Sequence, residues 1–163
     1  MVLEEDRTGT WHAYGKKASG KFKSSQDANV LDDRSSLAFF KPISLAGSTR
    51  FAGYMAISFP EVVASIEPAD LGVLHLEVAA LKVATHEAIT KRDWSTVRKH
   101  FIFIDNMLEI AETGEHDAIG ISYLVNLFYN ETSINFAKAR TLMPKRLATA
   151  LEIMERHYEE LKF

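Results

Sequence analysis

Six apolar side chains, Trp94, Val97, Phe101, Ile104, Leu108 and Ala111, follow one another at spacings of 3, 4, 3, 4 and 3. Only an α-helix lines up such a series on one side, so this stretch must bury a stripe against another element. The stretch before it repeats the rhythm with Leu74, Val78, Leu81, Ala84 or Thr85, and Ala88, which predicts a helix from about residue 71 to 90. Between them Lys91-Arg92-Asp93 leaves room only for a tight link, so the two helices fold back antiparallel. Asp93 or Ser95 can cap the start of the second helix, since a short oxygen-bearing side chain satisfies free N–H groups there. Gly114 is predicted to end it, because a left-handed terminal residue costs glycine little.

The rest of the chain after residue 47 fits the same class. A wide apolar face, Ile119, Ile121, Tyr123, Leu124, Leu127 and Phe128, predicts a centrally placed helix from about 117 to 129. A short piece spans about 134–142. Pro144 then opens a last helix carrying Leu147, Leu151, Met154, Tyr158 and Leu161 at spacings of 4, 3, 4 and 3. Pro60 is predicted to start a turn of helix running to Ile66. The expected fold is mainly α, an antiparallel bundle of about five helices over residues 47–163.

Residues 1–46 differ in kind. Apolar types number 18 among the first 50 residues and 58 among the remaining 113, so the first part has little core of its own. It is either a polar arm that orders by packing on the rest, or a small hairpin. In the hairpin reading Thr10–Tyr14 and Leu37–Phe40 pair, and Gly15–Gly20 forms a loop before Phe22. Trp11, Tyr14, Phe22, Phe39 and Phe40 stand in this polar stretch and need something to bury against, in the same chain or in another.

Phe59-Pro60-Glu61, Thr113-Gly114-Glu115-His116-Asp117, Ile121-Ser122-Tyr123-Leu124 and Leu142-Met143-Pro144-Lys145-Arg146-Leu147 form a pattern of turns and core positions over roughly residues 50–162. In this the chain resembles an uncharacterised family of small all-helical bacterial cytoplasmic proteins. The resemblance implies a helical fold. It carries over no catalytic residue.

Cofactor chemistry finds little footing. Cysteine is absent, which removes thiolate ligands and a thiol nucleophile. None of the histidines at 75, 86, 100, 116 and 157 follows a glutamate by three positions, as a di-iron bundle requires, and the histidines read as scattered surface residues. Gly15-Lys16-Lys17-Ala18-Ser19-Gly20-Lys21 has the spacing of a phosphate-binding loop. Phe22 stands where Ser or Thr must hold the metal, and neither a buried strand nor a helix flanks it. The expectation is therefore no metal, no nucleotide and no cofactor.

Asp105, Glu109 and Glu112 lie along one flank of the 94–113 helix, with Glu115 and Asp117 at the next turn. Such a row serves either as an ordinary solvated face, as a patch for a basic protein partner, or as half of an acid–base pair. Basic residues form two groups, Lys91, Arg92, Arg98 and Lys99, and Lys138, Arg140, Lys145 and Arg146, each flanked by acidic neighbours. With a formal charge of −3 the chain lacks the basic field of a nucleic-acid binder. No apolar run of membrane-spanning length occurs, and Met1–Asp6 lacks the basic start of a signal peptide, so the expected location is the cytoplasm.

These features favour a non-enzymatic protein-binding module, such as an immunity or inhibitor protein acting on a toxin-like partner, or one that self-associates. Its contact residues would be Asp105, Glu109, Glu112, Glu115 and Asp117, together with Trp11 and Tyr14. The alternatives are a small enzyme built on Asp105, Glu109 and His100, and a weak DNA-binding regulator.

Overall fold

The computed structural model of the chain describes residues 41–160 and the backbone of two short strands, β1 (Val2–Glu5) and β2 (Trp11–Tyr14). The strands pair antiparallel, Val2 opposite Tyr14 and Glu5 opposite Trp11. Strand character at Trp11–Tyr14 agrees with the sequence, but its partner is the segment just upstream. Closing that short connection costs less chain entropy than reaching Leu37–Phe40. The Gly15–Gly20 loop and Leu37–Phe40 lie outside the described residues.

From Lys41 onward the regular structure is helical: α1 (Arg50–Ser58), α2 (Pro60–Ala64), α3 (Leu74–Thr90), α4 (Trp94–Ile110) and α5 (Thr113–Ala118). The helix then widens into a π-helical segment, Ile119–Val125, and narrows again in α6 (Asn126–Phe128). Helices α7 (Ile134–Arg140) and α8 (Lys145–Glu160) complete the fold. The protein is mainly α.

The α3–α4 pair forms as its spacing demands. Arg92 takes the left-handed conformation in the link (φ 60°), and Asp93 caps α4 by accepting from the Thr96 N–H at 3.1 Å and its hydroxyl at 2.7 Å. Val97, Phe101 and Ile104 are fully buried, and His100, Phe103 and Met107 widen the buried face beyond the six-residue stripe. Aromatic edges knit this core together. Phe59 meets Phe103 at 5.5 Å between ring centroids, and Phe51 meets Phe103 at 5.7 Å, both edge to face.

Gly114 does not terminate α4. The helix ends at Ile110, Ala111 and Glu112 run extended, and Gly114 sits inside the first turn of α5. A capping box explains the boundary: Glu112 caps the Glu115 backbone, and the Glu115 carboxylate reaches back to the Glu112 N–H at 2.9 Å. Two reciprocal hydrogen bonds outweigh glycine's modest preference for a helix end.

The entry of the chain is pinned to α3. Glu77 is fully buried, and its carboxylate accepts from the Thr49 N–H at 3.0 Å, the Gly72 N–H at 2.8 Å and the Thr49 hydroxyl. Gly72 (φ 88°) faces the Gly47 carbonyl so closely that a Cβ would collide with it. Packing begins before residue 47, since the Ile43 N–H donates to the Gly53 carbonyl at 3.1 Å.

Candidate functional site

Helix α3 is apolar on both sides. Its inner side carries Val78, Leu81, Thr85, Ala88 and Ile89 into the core. Its outer side presents Leu76, 44% exposed, and Val83, 58% exposed, two turns apart on one line. A helix of this kind ordinarily sits between two layers. Here one layer is the core and the other side is open among the described residues.

The neighbouring chain lengthens this apolar surface. His75 on α3 is hydrogen-bonded through Nδ1 to the Ser122 hydroxyl at 2.7 Å, next to the exposed Ile121. Three turns on, His86 pairs with Glu131 at 3.2 Å and its ring lies 5.1 Å from that of Phe136. Glu131 stands between Tyr129 and Ile134, both exposed, the latter at 81%. Of the eight large exposed hydrophobics among the described residues, Val73, Leu76 and Val83 stand at the head of α3 or on it, and Ile121, Tyr129 and Ile134 lie within three positions of Ser122 or Glu131, which are bonded to it. Single apolar residues are ordinary on a surface, whereas here they gather along one helix and the segments bonded to it. Sequence reasoning followed only the inner stripe of α3 and missed the outer one, although the spacing of seven from Leu76 to Val83 was there to read.

The acidic row predicted from the sequence divides into two structural clusters. Asp105 accepts from the Leu147 N–H at 3.1 Å, capping α8 from outside that helix, and lies 3.7 Å from Arg146. Burial pushes the Asp105 carboxyl above its ordinary range, against the pull of Arg146. Glu109 also reaches Arg146, at 3.6 Å. Glu115 is buried and holds Arg50, whose guanidinium also donates to the Ile110 carbonyl at 3.0 Å. Glu112 stays exposed, 4.0 Å from Arg50, and Asp117 is exposed on α5. Asp105 and Glu115 thus face inward, leaving Glu109, Glu112 and Asp117 on the surface. A shallow pocket of about 270 Å³ lies over this corner, lined by Thr49, Arg50, Leu74, Glu112, Gly114 and Glu115. Trp11 and Tyr14 belong to β2, whose side chains lie outside the described residues.

His100 is a correction to the surface reading of the histidines. It is 2% exposed, packed edge to face on Phe59 at 4.6 Å, and bonded through Nδ1 to the Thr85 hydroxyl at 2.9 Å. Tyr123 reaches the same hydroxyl at 2.9 Å, and that hydroxyl donates to the Leu81 carbonyl at 2.8 Å. With its one proton given to Leu81, Thr85 must accept from both others, so the His100 proton sits on Nδ1 and Tyr123 donates. Burial lowers the His100 pKa to about 4 and pushes the Tyr123 hydroxyl well above its ordinary value. His100 points into the core against Phe59 and Thr85, while Asp105 and Glu109 face Arg146, so the histidine and the two carboxylates are held by different partners.

The two basic groups also differ in use. Arg140 pairs with Glu155 at 2.5 Å and covers the Phe128 ring at 4.6 Å, and Arg146 is held by Asp105 and Glu109. Lys91 reaches Glu87 at 2.5 Å across one turn, while Arg92, Arg98 and Lys99 are exposed. Among the described residues no three His, Asp or Glu side chains gather as a metal site, and no helix is long and apolar enough to cross a membrane.

Comparison with known proteins places the chain in a family. The profile of a domain of unknown function, DUF7674, matches residues 52–159. No curated protein matches the chain. No solved structure matches it.

Proposed function

For this chain, which belongs to the DUF7674 family, we propose a non-enzymatic protein-binding role, with the outer face of α3 as its docking surface. The observation that carries this reading is the seam of exposed apolar side chains from Leu76 and Val83 to Ile121 and Ile134. Apolar anchors surrounded by polar groups are what a protein partner buries when it excludes water from a contact. His75, His86 and Glu131 supply such groups along the seam, each already bonded in place. The acidic corner has a different character. Its inward carboxylates cap helices and hold Arg50 and Arg146, so they contribute to the fold first. An inhibitor or immunity protein is the narrower form of the same reading, with this face blocking a toxin-like partner.

The test is stoichiometric capture by the full chain from its native cell extract, run beside Leu76→Ser/Val83→Ser. Both positions are exposed, so the double variant keeps its helical signal. A partner retained by the natural chain and lost by the double variant supports the reading. Equal retention by both, or a natural chain that retains nothing, overturns it.

A further inference from the structure

The corner where α1, α3 and α5 begin holds charges of both signs around one pocket of about 270 Å³. Arg50 in its lining is fixed in place. Its Nε donates to Glu115 at 3.2 Å, and its Nη2 donates to the Ile110 carbonyl at 3.0 Å and to Glu115. The guanidinium carbon stands 5.9 Å from the centre of the Tyr54 ring. These bonds use the N–H groups of Nε and Nη2. Those of Nη1 have no partner among the described residues, and the side chain is 33% exposed, so a ligand can reach it.

Glu112 supplies the opposite charge. Its carboxylate lies 4.0 Å from Arg50 Nη2, beyond hydrogen-bonding distance, and its side chain is 81% exposed. Glu115 is buried and already bonded to Arg50 and to the Glu112 N–H. A simple anion at Arg50 would meet the like charge of Glu112, and a simple cation at Glu112 would meet that of Arg50. A small ligand carrying both charges is repelled by neither. In a free α-amino acid the carboxylate and the ammonium sit on the same carbon, so one can bond Nη1 while the other bonds Glu112. Leu74 in the lining is partly exposed and gives an apolar contact, and Gly114 puts no side chain in the way.

We infer that this pocket binds a free α-amino acid with an apolar side chain. The ligand carboxylate accepts from Arg50 Nη1, its ammonium donates to Glu112, and its side chain lies on Leu74. Charge strengthens both polar bonds. The site is open to water and the ligand is small, so the dissociation constant is about 1–10 mM. This binding needs no protein partner and is independent of the line from Leu76 to Val83.

The probes are L-leucine and two analogues that each lack one charge: 4-methylpentanoate, without the ammonium, and 3-methylbutylamine, without the carboxylate. Each is titrated into the isotope-enriched full chain and followed by nuclear magnetic resonance. The expected result is saturable shifts at the amides of Arg50, Glu112 and Gly114 with leucine, and binding at least about tenfold weaker for each analogue. Glu112→Gln keeps an oxygen to accept the Glu115 N–H, so α5 keeps its cap. In that variant leucine should bind no more tightly than 4-methylpentanoate. No shift at these amides up to about 50 mM leucine overturns the inference. So does an analogue that binds as tightly as leucine, or a folded Glu112→Gln in which leucine keeps its advantage. If circular dichroism shows that the variant loses helix, the three probes on the natural chain decide alone.

Discussion

Lowering the pH should destabilise the fold through one buried group, His100. His100 is neutral in the folded protein, with a pKa of about 4 because burial disfavours its charged form. In the unfolded chain it titrates near the ordinary histidine value of about 6.5. The unfolded state therefore binds the extra proton between these values, and stability falls as pH falls through that window. The folded pKa is the depressed one, so the stabilisation is complete above about pH 6.5 and lost on the way down to about 4. The gap corresponds to about 3 kcal/mol in full, and to about 2 kcal/mol already at pH 5. Urea unfolding at pH 7.5, 6, 5 and 4.5 measures it directly. The variant His100→Phe is the reference, because the rest of the chain is common to both proteins. It keeps a ring against Phe59, and Thr85 retains both its bond to Leu81 and that from Tyr123. The difference in stability between the two proteins should shift by about 2 kcal/mol from pH 7.5 to pH 5. A difference that stays constant within about 0.5 kcal/mol would mean that His100 is solvated or charged in the fold, and the buried network would be wrong.

Other substitutions probe the remaining joints. Phe101→Ala removes a fully buried ring at the middle of the α4 stripe and should cost about 3–5 kcal/mol in denaturant unfolding, with a loss below about 1 kcal/mol refuting the helix phase. Glu77→Ala leaves the Thr49 and Gly72 N–H groups without their acceptor and should cost about 2–4 kcal/mol, whereas an unchanged midpoint would show that water serves them equally well. Asp105→Asn keeps an acceptor for the Leu147 N–H and should stay within about 1 kcal/mol of the natural protein, while Asp105→Ala should lose about 1–2 kcal/mol of thermal stability. Ser58→Ala removes a buried hydroxyl that lacks a hydrogen-bond partner and should stabilise the fold by up to about 1 kcal/mol; a clear loss instead would reveal a hidden partner.

The helices that were legible in the sequence are those with one buried side. The stripes of α4 and α8 and the Lys91–Asp93 link follow from spacing alone. Helix α1 was not legible because Phe51, Ala52, Gly53, Tyr54 and Met55 are all buried in succession, which erases the period of 3.6. The π-helical widening at Ile119–Val125 was equally hidden, since a broad apolar face looks the same in an α-helix. Glycine 53 and Glycine 120 lie where chain or side chain comes close, Gly120 against Met154 and Gly53 against Pro42, and such approaches are tertiary facts. Of the candidate site, the acidic row could be listed by residue but not by partner. Arg50 and Glu115 are sixty-five positions apart, and nothing local announces that they meet. Glu77, an acid between Leu74 and Leu81 on the buried stripe, was not singled out, although its spacing could be read.

The central claim, that the outer face of α3 rather than the acidic corner binds the partner, comes down to a comparison of two dissociation constants. Leu76→Ser/Val83→Ser removes two exposed apolar anchors, while Glu109→Gln/Glu112→Gln/Asp117→Asn neutralises the three carboxylates that remain on the surface. Truncating two central anchors should weaken binding about 100-fold or more, and neutralising exposed rim charges should change it less than about 10-fold. The reverse order, with the acidic variant losing the partner and the α3 variant keeping it, would contradict the account.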